Sequence, residues 1–159
     1  MVRLRDDRRI RRTKKGEFEL RLPDAERDIL RGLPDELREV LGGDDAVLER
    51  LFPTAYPDDE AQEKEFQGMV RDDLFEQRRT ALATMEGTID AERVSEDELL
   101  AWLSSINDAR LVLGLRLDVT EELDIAGIAP DDPRAPSFAL YGFLTFLEGE
   151  AIEALSAAL

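Results

Sequence analysis

Apolar and polar residues alternate along Glu17–Leu22. Phe18, Leu20 and Leu22 fall on one side, and Glu17, Glu19 and Arg21 on the other. That period of two is the signature of a half-buried strand. The preceding "TKKG" (13–16) supplies a turn in which Gly16 can take a positive φ, so residues 8–22 read as a β-hairpin. Two strands alone are marginal in water. The Phe18 face is therefore expected to lie on the rest of the chain.

From residue 23 onward the period becomes helical. Pro23-Asp24 opens a short helix that ends by Gly32, and Pro34 sits in the first turn of the next, which stops at Gly42-Gly43. Asp44 or Asp45 can cap another short helix carrying Val47, Leu48 and Leu51. Two prolines then interrupt "LFPTAYPDD" around Tyr56. Asp58 or Asp59 caps the longest helix, reaching about Gly87, with Phe66, Val70, Leu74, Ala81 and Met85 along one side. Gly68 in its middle is expected to mark a close approach by a neighbour. Ser95 and Glu98 form a capping box, with Val94 and Leu99 as its hydrophobic staple, starting a helix to about Leu117. An acidic connection spans about 118–136. Ser137 then caps a last helix striped by Leu140, Leu144, Leu147, Ala151 and Leu155. The expected fold is mainly α: one domain over 1–159, a compact helical bundle (24–157) with an N-terminal β-hairpin (8–22).

Composition narrows the chemistry. The chain has neither cysteine nor histidine. Disulfides, thiol catalysis, thiol redox sensing, thiolate metal sites and histidine-dependent triads or zinc motifs are therefore excluded. Acidic clusters at 58–60, 96–98 and 129–133 lack the spacing of a calcium loop, and the first two suit helix N-termini. No phosphate-binding glycine loop follows a strand. No metal, cofactor or catalytic residue is expected. No apolar run is long enough to span a bilayer, and the Arg-rich start lacks a signal peptide's apolar segment, so a cytoplasmic location is expected.

The net charge of −16 is unevenly placed, for residues 1–21 carry nine Lys or Arg against four Asp or Glu. Arg8, Arg9, Arg11, Arg12, Lys14 and Lys15 thus form a candidate partner-binding arm, or simply a solvated face. The acidic remainder works against direct nucleic-acid binding.

The segment "INDARLVLGLRL" (106–117) is nearly solid aliphatic, yet contains Arg110. On a helical wheel Leu99, Leu103, Ile106, Leu113 and Leu117 share a face with Arg110 in its middle and Asn107 on its flank. A buried guanidinium keeps its proton and requires a carboxylate partner. On the preceding long helix Asp73 lies in the apolar arc, with Gln77 a turn later. Asp73, Gln77, Asn107 and Arg110 are read either as a buried ion pair that fixes helix packing or as a polar pocket for an anionic ligand. Trp102 and Tyr141 are expected in the core or an interface. The aromatics Phe138, Tyr141, Phe143 and Phe146 of the last helix have more apolar sides than one contact covers, which allows a homodimer.

"RLFPTAYPDD" (50–59), "RDDL" (71–74), "INDARLVLGLRLDVTE" (106–121) and "LYGFLTFLEG" (140–149) together resemble a family of small actinobacterial proteins of unknown function. That family includes oxidative-stress regulators (AosR-like) described as acting with an alternative sigma factor, and its members tend to be encoded near a protease adaptor. Its motif positions here are Asp73, Asn107, Arg110, Asp118 and the loop around Tyr56. The resemblance implies a non-enzymatic regulatory or adaptor protein, with a sigma factor or protease-related component as partner. Thiol sensing does not carry over to a chain without cysteine. The residues alone leave open a helical ligand-binding or enzymatic domain built around Arg110.

Overall fold

A computed structural model describes residues 7–43, 48, 51, 52, 55–120 and 127–157. Strands β1 (Ile10–Arg12) and β2 (Phe18–Leu20) pair antiparallel, with Ile10 opposite Leu20 and Arg12 opposite Phe18. Gly16, at φ 81°, makes the turn, and its N–H donates to the Thr13 carbonyl at 3.1 Å. A third strand, β3 (Arg93–Val94), pairs with β2 and places Val94 opposite Phe18. Two residues are too few to show a period, and in the sequence Val94 reads only as half of a staple. Ile10, Phe18, Leu20 and Val94 are all buried, so the sheet has one dry face.

Helix α1 (Asp24–Arg31) follows Pro23, and α2 (Leu33–Gly43) carries Pro34 in its first turn. Asp44, Asp45 and Val47 of the expected next helix lie outside the described residues, while Leu48 and Leu51 are buried. Helix α3 (Glu60–Gly87) is capped by the Asp59 side chain, which accepts from the Gln62 N–H at 3.0 Å. At 1.5 Å per residue it is about 42 Å long, longer than the rest of the bundle can cover. Its buried side chains, Phe75, Leu82 and Met85, lie in its second half. Of the expected stripe only Met85 is fully buried; Phe66, Val70, Leu74 and Ala81 are half-buried. Gly68 is exposed, and a Cβ placed there would meet nothing within 4 Å, so the expected close approach is absent.

Helix α4 (Glu96–Arg116) begins as anticipated. The Glu98 N–H donates to Ser95 Oγ at 3.2 Å, and the Ser95 N–H donates to Glu98 Oε1 at 2.9 Å. Its buried face differs from the expected one. Leu99, Trp102, Ile106, Ala109 and Val112 face inward, a face turned by about one residue from the leucine stripe. Trp102 accounts for the turn: it is fully buried, and its Nε1–H donates to Thr88 Oγ1 at 2.7 Å. The last helix, α5 (Ala135–Ser156), starts two residues before Ser137, with Arg134 at the cap position and Pro136 in the first turn. Ser137 is therefore not the cap. Helix α4 packs between α3 and α5 and also touches α2, while β1 lies along α5. The protein is mainly helical, with a small antiparallel sheet near its N-terminus.

Candidate functional site

Three polar places stand out, and they differ in how completely the protein satisfies them. The first is Arg27 on α1, a buried arginine that the sequence pattern does not reveal. Its guanidinium donates to the carbonyls of Leu22 (3.1 Å), Ile89 (2.6 Å), Ala91 (3.0 Å) and Leu20 (3.1 Å). It ties the hairpin exit to the α3–β3 connection using backbone oxygens, so the premise that a buried arginine needs a carboxylate does not hold at this position.

The second lies between α3 and α4. Arg78 Nη1 donates to Ser104 Oγ at 3.1 Å and sits 3.0 Å from Asp108 Oδ1. Asp108 is almost fully buried, and Oδ1 receives no well-directed hydrogen bond; Ser105 Oγ is likewise buried without a partner. Loss of water pushes the Asp108 carboxyl up to about 6, against the opposing pull of Arg78. The Arg78 guanidinium also rests 5.7 Å from the Phe52 ring centre. The two helices are thus joined by a charge pair, but with the acid on α4 and the arginine on α3.

The third is the place of Arg110 itself. Because the α4 face is turned, Arg110 points along α5 instead of toward α3. Its Nε–H donates to Thr145 Oγ1 at 2.9 Å, Nη1 stands 3.6 Å from Glu148 Oε1, and the guanidinium lies 5.4 Å from the Tyr141 ring centre. Asp73 and Gln77 are exposed on α3, and neither pairs with Arg110; Asn107 is half-buried on α4. The expected Arg110–Asp73 pair does not form, and the four residues do not make one pocket.

Arg110 instead lines an open cleft of about 400 Å³ with Leu111, Gly114, Leu115, Asp118, Val119 and Tyr141. Its side chain remains 28% exposed. The Tyr141 ring packs against bare backbone at Gly114, where a Cβ would come within 3.2 Å of Tyr141 Cε2. The cleft's floor is the end of α4, closed by paired hydrogen bonds from the Val119 N–H to the Gly114 carbonyl (2.9 Å) and the Asp118 N–H to the Leu115 carbonyl (3.2 Å). This is the Schellman arrangement, whose left-handed residue is commonly glycine. Here it is Asp118, at φ 53°. Arg110 and Asp118 both line this cleft. Tyr141 joins them only through the packing of α5 on α4, which no local pattern announces.

Part of the basic arm is engaged by the fold. Arg9 Nε donates to Glu26 at 3.0 Å, and its backbone N–H to the buried Glu150 at 3.1 Å. Arg12 donates to the Ala157 carbonyl at the end of α5, the negative end of the helix dipole, at 3.2 Å. Arg8, Arg11 and Arg12 line a cleft with Glu150 and Glu153, and these three arginines, Lys14 and Lys15 are all exposed. Phe138 is buried within the chain; Tyr141 and Phe143 are half-buried, and Phe146 is exposed.

Among the described residues no helix is long and apolar enough to cross a membrane, and no group of acidic residues is arranged to hold a metal ion. A family model described as a domain of unknown function (DUF2017) matches residues 7–155, and the chain belongs to that family. No curated protein and no solved structure matches the chain.

Proposed function

We propose that this member of the DUF2017 family is a non-enzymatic regulatory or adaptor protein that works in the cytoplasm through contact with another protein. The observation that supports the reading is the α4–α5 cleft. Its chemistry is a fixed cation, an aromatic ring and aliphatic side chains, a set suited to recognition. Arginine does not exchange its proton at neutral pH, and the chain offers no histidine or cysteine for group transfer. The resemblance to oxidative-stress regulators favours a sigma factor or a protease-related component as the partner. Since this chain has no cysteine, its signal is not thiol oxidation.

The test is affinity co-purification of the tagged protein from its host, with and without nuclease, alongside Arg110→Ala. The expected result is a nuclease-resistant protein partner. A blank, or a partner lost on nuclease treatment, would overturn the reading. The cleft volume also favours a second reading, a small anionic ligand held by Arg110, because pockets of this size suit small molecules. A thermal-shift screen of carboxylate and phosphate metabolites tests it, with Arg110→Ala expected to abolish any shift.

A further inference from the structure

Asp118 occupies a position that glycine commonly fills. A residue with a Cβ in the left-handed region is strained, and glycine would close the same Schellman hydrogen bonds without strain. Strain of this kind gathers at sites that use the side chain it positions. The Asp118 carboxylate has no ion-pair partner among the described residues, and it borders the same cleft as Arg110. Arg110 is held on three sides, by the Tyr141 ring, Thr145 and the loosely placed Glu148, yet stays partly open. The cleft therefore has a positive end and a negative end, with Leu111, Leu115 and Val119 between them.

The spacing of the two ends says what fits. Asp118 follows Arg110 by eight residues, just past the end of α4, which sets their backbone positions roughly 12 Å apart at 1.5 Å per residue. An extended peptide covers the distance in about four residues at 3.3 Å each.

We propose that the α4–α5 cleft docks a short extended segment of a partner protein, one that carries an acidic and a basic residue about four positions apart. The acid meets Arg110, the base meets Asp118, and an aliphatic side chain between them lies on Leu111, Leu115 and Val119. The proposal rests on the protein-contact reading above and names the chemistry of the partner's contacting segment. Arg110 is suited to its role because its planar fork can take a second carboxylate while keeping Thr145.

The experiment uses the full chain, labelled with nitrogen-15, and two pools of blocked decapeptides. In the first pool Asp or Glu stands four positions from Lys or Arg, in either order, with Leu or Val between. In the second both charged positions carry the same sign. The first pool is expected to shift the amides of Gly114, Val119 and Tyr141 and the Arg110 Nε–H, and the second is not. Arg110→Ala and Asp118→Gly are each expected to weaken binding at least tenfold, while Asp118→Gly melts a few degrees higher. That opposition separates the two roles, since a purely structural Asp118 would be replaced by glycine without loss. Equal binding of both pools, or unchanged binding by Asp118→Gly, would overturn the proposal. A host partner captured equally well by both variants would overturn the cleft assignment yet leave the protein-contact reading standing. Capture of no partner at all would remove that reading itself.

Discussion

Arg27 and Arg110 are both arginines set among apolar side chains, and the protein treats them in opposite ways. Arg27 is enclosed, with four of its five N–H donors engaged by the backbone carbonyls of Leu20, Leu22, Ile89 and Ala91. Arg110 has one directed hydrogen bond, a carboxylate at 3.6 Å and an open side toward a cleft. A cation whose donors are nearly all used within the protein holds the fold together. One whose donors are partly unused can recognise something else. Asp108 stands between the two: it is enclosed like Arg27, but incompletely satisfied.

The sharpest way to break the comparison is to remove Arg27. Arg27→Ala should destabilise the protein by about 3 kcal/mol or more, because several buried carbonyls lose their donor at about 1–3 kcal/mol each. Urea unfolding measures this, and a loss under about 1 kcal/mol would mean that water replaces the guanidinium.

Asp108 gives the next largest effect, and its sign depends on pH. Between the ordinary carboxylate range and about 6 the folded protein holds a proton that the unfolded chain has released. This group's contribution to stability therefore falls as pH rises through that window, and its full cost is present above it. Asp108→Asn should be more stable than the parent at pH 7 by about 1–3 kcal/mol, at about 1.36 kcal/mol per tenfold change in acid constant. The difference should shrink toward pH 4. A difference that does not vary with pH would place the carboxyl in contact with water.

Asp118→Gly relieves left-handed strain and should add about 0.5–1 kcal/mol, offset in part by the freer unfolded chain. Thermal melting of the two proteins side by side measures it. Arg110→Ala should have the smallest effect, about 1 kcal/mol, since its one directed hydrogen bond is exposed and the part-buried Glu148 stands 3.6 Å away. A large loss in that variant would make Arg110 a structural residue like Arg27 and erase the contrast. The hairpin charges need a similar separation of roles. Deleting residues 1–21 would remove Ile10, Phe18 and Leu20 from the core, so the role of Lys14 and Lys15 is tested by charge reversal in place.

The elements of this fold are written locally in the chain. Turn chemistry at Gly16, first-turn placement of Pro34, the Asp59 cap and the Ser95–Glu98 box are local devices, and local devices act before any packing. Helix content and the hairpin come from them. Which face of each helix is buried is a different matter, settled only by packing. The leucines of α4 run nearly all the way round, so its period leaves several rotations open, and Trp102 with its bond to Thr88 selects one. That choice turns Arg110 away from Asp73 and toward α5, and it brings Asp108 against Arg78. The pairing of β3 with β2 is tertiary in the same sense, since two residues carry no pattern of their own. Arg110 was legible as a candidate residue and Asp118 only as a motif position of the resemblance, while the cleft that both line was not legible as a place. A cleft exists only where two helices meet, and their rotation is settled by packing summed over the whole core.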